Sequence, residues 1–538
     1  MRCTGLASVV YLLTTLLSTA SSPAQLTGTA TLSGKVLNAQ TNAPIPKATV
    51  ALILEATPPA SAIALTSATG DFSFENLPVG QYRLRAYKQG FRPVNFGSRA
   101  LTQSGALIML EEGIGKDAVV IRLPMNSTIS GLLVDSDGDP IVATDVSLYR
   151  VIARDGHPAT QPQGGGQTDE RGAYRFDVTQ PGRYCISANT NPSLGFAYYN
   201  NTGKLPMITL PVLYPAGCGT ESGRTLDIAT GGRIANLDIV VPSARAARPK
   251  GKVLLPENFD RSSPIQVLLA SASELFPRGR FMGFGVLPSG DIMGGAIVPG
   301  EYTITASYDL AGVKHSATAR VDFAPGEEKE FTLTPRPTFT IPCKLSIESP
   351  KPDSPTSVSF YLEVPNQMMP SGSRVTWEPG KDCRIANVTP GRWRLQVNPV
   401  PAGYYVKSAR LGSLDILRKE FDLPDGPPGE LAIVLSGAGA ELNGELDPAG
   451  TAAFVVLAPA VQSGETNTFY RMLPTAPDGK FRFAALPPGQ YKLYAFEELD
   501  SDEWQSPAYL GRFEDAAKLI RVAAGEKSVI KLTRIPAK

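Results

Sequence analysis

An all-β fold, a tandem array of about five small antiparallel β-sandwiches, is what this sequence predicts. Three observations predict it. A Gly-x-aromatic motif recurs five times along the chain. Apolar residues alternate at period two rather than at the helical period. And 51 Gly with 47 Pro punctuate the 538 residues with turns. A single hydrophobic core stops growing well before this length, so several domains are expected.

The motif copies are Gly80-Gln81-Tyr82, Gly182-Arg183-Tyr184, Gly300-Glu301-Tyr302, Gly391-Arg392-Trp393 and Gly489-Gln490-Tyr491. Their glycines lie 102, 118, 91 and 98 residues apart, each about one small domain. All but the first follow a proline. Pro presets φ and Gly accepts positive φ, so Pro-Gly marks a turn into each aromatic-bearing strand. A second element precedes each copy: Gly70-Asp71-Phe72-Ser73-Phe74, Gly172-Ala173-Tyr174-Arg175-Phe176 and Gly479-Lys480-Phe481-Arg482-Phe483. It is degenerate at Gly290-Asp291-Ile292-Met293 and at Gly380-Lys381-Asp382-Cys383-Arg384-Ile385.

A third element opens each unit with a strand around a glycine: Gly34, Gly131, Gly251 and Gly444. The fourth unit carries Cys343 at this place. Closing strands are expected at Val119–Leu123, Leu237–Val241, Glu330–Leu333, Leu431–Leu435 and Ser528–Leu532. The best helical candidate is the short stretch Glu514–Ile520. These elements divide the chain into a leader, 1–24, and sandwiches over 25–125, 126–245, 246–336, 337–436 and 437–538. The linkers (Pro124-Met125-Asn126, Ala246-Ala247-Arg248-Pro249, Thr334-Pro335-Arg336-Pro337) are short, so semi-rigid beads are expected.

Arg2, the apolar run Leu6–Leu17 and Ser22-Pro23-Ala24 read as a secretory signal, with Ser18-Thr19-Ala20 as a second cleavage site. That run is too short to span a bilayer, and no later segment is apolar for long enough. Removing the leader removes Cys3. Cys185, Cys218, Cys343 and Cys383 remain, an even number that fits an oxidising compartment. The domain division pairs Cys185 with Cys218 and Cys343 with Cys383. The alternative is four buried free thiols. A metal site is disfavoured, since no CxxC pair occurs.

Lys+Arg 51 against Asp+Glu 50 leaves a net charge of +1, which offers nothing to a phosphate backbone; nucleic acid is not expected. His157 and His315 are the only histidines, too few for a catalytic triad or a zinc site. No catalytic residue, metal ligand or cofactor is assigned.

The elements quoted above, in this order, resemble the carboxypeptidase regulatory-like domain. The likeness is closest in the first unit, from Ser33-Gly34-Lys35-Val36 through Ala43-Pro44-Ile45-Pro46 to Gly80-Gln81-Tyr82. The resemblance implies a prealbumin-like or starch-binding-like sandwich, used in exported bacterial proteins as a non-catalytic domain. Several local patterns compete with plain structural roles. Asp135-Ser136-Asp137-Gly138-Asp139 has the composition of a calcium loop, but position twelve is Val146 rather than Glu, which favours a turn. Gly437–Gly444 resembles a phosphate loop, yet no helix follows it. Trp377, Trp393, Trp504, Tyr198, Tyr199, Tyr404 and Tyr405 could form a sugar-stacking face or simply pack cores. Lys35 could begin an isopeptide crosslink, although the closing strand Val119–Leu123 offers no Asn. The expected function is a non-catalytic, secreted or periplasmic envelope protein that binds carbohydrate or another envelope protein. The alternative is a purely structural surface spacer or accessory subunit.

Overall fold

The computed structural model describes residues 28–56, 60–98, 105–113, 115–189, 204–220, 222–260, 262–271, 281–351, 354–364, 374–423, 426, 429–448, 453–460, 469–499 and 503–536. The expected leader, Cys3, Tyr198 and Tyr199 lie outside these residues. Strand follows strand, and the described helical elements are Pro507–Gly511 and one 3₁₀ turn, Glu514–Ala516. The helix expected over Glu514–Ile520 is corrected. The Ser506 side chain accepts from the Tyr509 N–H and Pro507 opens the helix, so the helix starts about two turns earlier. Lys518–Val522 instead forms a strand against Gly489–Phe496.

The chain divides into two compact units, Met1–Met125 and Asn126–Lys538. The first unit is a two-layer sandwich. One sheet has Ala30–Asn38 between Asp71–Leu77 and Gly115–Leu123. The other runs Ala60–Leu65, Thr49–Leu54, Gly80–Tyr87, Val94–Asn95, with Ile108–Leu110 also on Gly80–Tyr87. Alternation sends Leu32, Val36, Val50, Leu52, Phe72, Phe74, Tyr82, Leu84 and Ile121 into the space between the layers.

The second unit holds four more such cores. They are centred on Tyr184 with Ile129 and Val146, Tyr302 with Val253 and Leu269, Trp393 with Ile341 and Phe360, and Tyr491 with Leu442 and Val455. In the last, the layers join: Ala495 and Phe496 pair with Arg534 and Ile535 of the closing strand.

Each of the five cores has an opening strand that pairs in parallel with its closing strand. The pairs are Ala30–Asn38 with Gly115–Leu123, Ser127–Asp135 with Ile239–Val241, Arg248–Val253 with Glu328–Leu333, Phe339–Glu348 with Leu431–Ser436, and Ala440–Asp447 with Lys527–Ile535. Apart from this seam the sandwiches are antiparallel, except for two short parallel contacts, Arg233–Ile234 on Thr128–Ile129 and Ala495–Phe496 on Arg534–Ile535. Parallel neighbours need a long crossover, and here the crossover is the rest of the sandwich.

The opening glycines follow from that seam. A Cβ on Gly34 would stand 2.1 Å from the Val119 carbonyl oxygen and 2.8 Å from Phe72 Cζ. On Gly444 it would stand 2.1 Å from Phe481 Cζ. Gly34 lies directly opposite Phe72, Gly131 opposite Tyr174 and Gly444 opposite Phe481, so an aromatic ring covers each bare backbone. The fourth sandwich solves the same position covalently. Ile341 and Pro342 pair with Ile385 and Arg384, and Cys343 is disulfide-bonded to Cys383 with Cα atoms 5.0 Å apart. The Cys185–Cys218 disulfide, with Cα atoms 6.0 Å apart, lies in a separate small cluster with Tyr149, Val151 and Leu213.

The repeated aromatic is a corner device. Tyr82 Oη donates to Pro78 O at 2.8 Å, Tyr184 to Gln180 O at 2.7 Å, Tyr302 to Val298 O at 2.8 Å and Tyr491 to Pro487 O at 2.8 Å. Trp393 Nε1 donates to Thr389 O at 3.0 Å. Each ring is buried, so its polar atom needs a partner, and the carbonyl four residues back supplies one. That bond closes the turn through Gly182, Gly300 or Gly391. At Gly300, φ is 141°, a conformation open to glycine.

The linkers expected to be short and semi-rigid differ in burial: Met125, Arg336 and Pro337 are exposed, while the second linker begins inside the fold. Ala246 and Ala247 are fully buried, and Ala247 N–H donates to Ile297 O at 2.9 Å. Arg336–Pro337 joins the ladder of Val313–Phe323. Two small side chains let the Ala246-Ala247 backbone pack without solvent, whereas Arg336–Pro337 pairs at an exposed edge.

Calorimetry of the full chain tests these constraints. Tyr82→Phe leaves the Pro78 carbonyl without its donor and should cost about 1 kcal/mol in the transition of the first unit. Gly34→Ala should cost more, upwards of about 2 kcal/mol, because backbone must move. Replacing both Cys343 and Cys383 by Ser, which opens a loop with a separation of 40 residues, should cost about 3–4 kcal/mol in the second unit.

Candidate functional site

Within the second unit the chain returns on itself. Strands Asp145–Arg154 and His157–Gln167 form a hairpin whose two-residue tip is Asp155-Gly156. Asp155 has φ 52° and Gly156 φ 87°, the paired positive values that a tight hairpin turn demands and that Asp-Gly supplies cheaply. The tip reaches the fifth sandwich. Asp155 N–H donates to Gln505 Oε1 at 2.7 Å, and Arg183 Nε lies 2.6 Å from Glu503 Oε1. A Cβ on Gly156 would lie 3.5 Å from Tyr470 Oη and 4.0 Å from Pro507 Cγ, so the tip packs against both. The fourth sandwich meets the fifth nearby: the Phe469 ring sits under the Arg418 and Arg471 guanidinium groups, at 5.3 and 4.5 Å from its centroid.

Beside this junction lies a groove of about 500 Å³, lined by Ala460, Tyr470, Lys492, Tyr494, Pro507 and Glu514 among others. Its floor follows from strand alternation. Tyr491, Leu493 and Ala495 of Gly489–Phe496 face the core, which leaves Lys492, Tyr494 and Phe496 on the outer face. Pro507–Gly511 covers that face: Phe496 meets Phe513 at 5.0 Å and Tyr509 at 6.0 Å between ring centroids. The groove is the space this cover leaves open. Lys492 Nζ and Glu514 Oε1 pair across it at 2.6 Å. Burial, then the Glu514 carboxylate and Tyr470, push the Tyr494 hydroxyl up to about 12, so it stays a neutral donor. Burial and Asp155 likewise raise Tyr470. Burial pushes the Asp155 carboxyl above the usual carboxylate range, against the pull of Arg394, Arg154 and His157.

The groove offers the half-buried Tyr470 with its hydroxyl and one cation–anion pair, over an almost wholly buried Tyr494, and such groups can hold a polar ligand. Among the described residues, no group of three or more His, Cys, Asp or Glu side chains is placed to hold a metal. No helix among them is long and apolar enough to cross a membrane.

The aromatics singled out from the sequence do not assemble into one face. Trp393, Tyr404 and Tyr405 are buried in the fourth sandwich, with Trp377 packed against its core. Trp504 is half-buried in the segment that meets the hairpin tip. The repeat residues Gly80, Tyr82, Gly182, Tyr184, Gly300, Tyr302, Gly391, Trp393, Gly489 and Tyr491 line corners. Asp135 Oδ1 accepts from Asp137 N–H and Asp139 N–H, both at 2.9 Å, as a turn residue does. Lys35 forms an exposed ion pair with Asp71 at 3.0 Å. Residues 440–444 of the glycine-rich stretch run into a strand. Tyr470, Tyr494 and the Asp155-Gly156 tip were missed. Two signals point to them: an aromatic two residues before the end of the fifth motif strand, off its core-facing alternation, and an Asp-Gly pair just past the apolar run Val151-Ile152-Ala153.

The carboxypeptidase regulatory-like domain family matches residues 31–107, within the first sandwich. No curated protein sequence matches the chain. Among solved structures, the minor pilin of Streptococcus agalactiae is 15% identical, covering 43% of this chain and 100% of its own, at a TM-score of 0.21. A streptococcal ancillary pilin is 13% identical over 54% of this chain and 99% of its own, at 0.21. The shaft pilin SpaA of Lactobacillus rhamnosus GG is 8% identical over 43% of this chain and 100% of its own, also at 0.21. Superpositions this loose carry nothing about function.

The Lys492–Glu514 pair is 26% and 53% exposed at its side chains. A double-mutant cycle on Lys492→Gln and Glu514→Gln should give a coupling in thermal stability below about 1 kcal/mol. A larger coupling would make the pair a structural strut rather than a groove feature.

Proposed function

We propose that the chain is a non-catalytic, exported envelope protein whose fifth sandwich binds carbohydrate in the groove beside the hairpin junction. The observation that supports this most is the groove itself: about 500 Å³, with the half-buried Tyr470 beside the Lys492–Glu514 pair. Tyrosine offers a sugar ring an apolar face and a hydroxyl, and an ion pair presents a donor and an acceptor to ring hydroxyls without a net charge. The two disulfides suit an oxidising compartment, which supports export. The five sandwich cores, the family match in the first, and the paucity of histidine support a non-catalytic role.

A second reading, a structural spacer or accessory subunit, draws on a different observation. Fully buried Ala246 and Ala247 and the contacts between the second and fifth sandwiches suit a stiff body that transmits position.

Titration of the full chain against a panel of soluble polysaccharides, followed by calorimetry, separates the two. Binding should be found for at least one, and Tyr470→Ala should weaken it about tenfold or more, by loss of stacking and a hydroxyl contact. Circular dichroism should stay unchanged. An intact protein that binds none of the panel would leave the spacer reading.

A further inference from the structure

We propose that the Asp155-Gly156 hairpin tip is a proton-operated latch between the second and fifth sandwiches, closed when Asp155 is protonated, and that it controls the groove through Tyr470. The control of the groove rests on the binding role proposed above; the latch does not.

The geometry carries the argument. The tip touches the fifth sandwich through the Asp155 N–H to Gln505 and through Gly156 against Tyr470 and Pro507. Tyr470 and Pro507 also line the groove, so tip and ligand share a wall. The strand that carries the tip is buried on both faces over Tyr149–Ala153, and a stiff arm transmits its position. Docking holds the Asp155 backbone against Gln505 and leaves the residue half-buried, so its carboxyl loses part of its water.

Every charged group facing that carboxyl has a definite sense. Arg154 and His157 on the tip and Arg394 on the fourth sandwich favour its anion; Tyr470 on the fifth sandwich is neutral. Burial outweighs the three cations, and the carboxyl is raised. Docking thus takes up a proton. It is strongest below the ordinary Asp range and weakens as pH rises through the raised value. The Arg183–Glu503 pair, 2.6 Å apart beside the tip, adds a contact that needs both charges and keeps the docked state populated once Asp155 ionises.

Hydrogen exchange of the full chain without ligand, from about pH 4 to about pH 8 and corrected for the intrinsic pH dependence of amide exchange, reads the latch directly. Protection over 150–157 and 503–511 should be several-fold higher at the acid end. Asp155→Asn keeps the positive φ that the turn needs while removing the titration, and should hold protection high and flat across the range. Gln505→Ala should lower it throughout, and His157→Gln should keep the wild-type slope. Trp504 emission should follow the same profiles, with Trp504→Phe as the blank. Protection that is flat or rises with pH in the wild type, or an Asp155→Asn profile that keeps the wild-type slope, would overturn the latch. Because no ligand is present, a chain that binds no polysaccharide can still latch, and a chain that binds one can still lack the latch.

Discussion

The opening strand of each sandwich is held from both sides at once, and most of the architecture depends on that. An antiparallel strand runs along one edge and the parallel closing strand along the other. The middle of the opening strand cannot then carry a side chain without meeting carbonyl or ring. Three of the five sandwiches answer with glycine covered by an aromatic ring directly opposite, and the fourth with a disulfide at the equivalent pair. Phe331 covers Gly251 in the third, where the antiparallel partner shrinks to a single bridge. The disulfide is thus one of two chemical solutions to one steric problem. It also explains why Cys343 falls where the repeat elsewhere has glycine.

Once that strand is fixed, the corner bond fixes the facing layer. A buried Tyr or Trp donates to the carbonyl four residues earlier, five times over, and sets where the core strand of the second sheet begins. From there alternation alone assigns faces. In the fifth sandwich it turns Lys492, Tyr494 and Phe496 outward, onto a face that a soluble domain cannot leave bare. The segment carrying Pro507–Gly511 covers Phe496 and Tyr494 alike and leaves Lys492 half-buried, and the groove is the space beside it.

The same reasoning ties the candidate groove to the second sandwich. A two-residue Asp-Gly turn makes the hairpin tip as narrow as a hairpin can be. Narrowness lets it reach Gln505, Tyr470 and Pro507 together. It also half-buries the Asp155 residue. Structure and electrostatics are therefore coupled at one residue.

By itself the sequence determined what repeats and alternates: strands, corners, the Gly-aromatic pairs, and the spacing that placed Cys185 with Cys218 and Cys343 with Cys383. These are local or same-sandwich properties, and each leaves a residue-type imprint because only glycine, proline or an aromatic meets the steric demand. The helix lies about two turns before the expected Glu514–Ile520, since a cap at Ser506 outweighs weak periodicity there. The parallel seam, the burial of Ala246 and Ala247 and the return of the second sandwich to the fifth were decided only in the tertiary structure. They join residues some 350 positions apart, such as Asp155 and Gln505. Contacts of that kind depend on the relative placement of whole sheets, which no single stretch of chain encodes. The groove belongs with them, being the space left between elements rather than a property of any one.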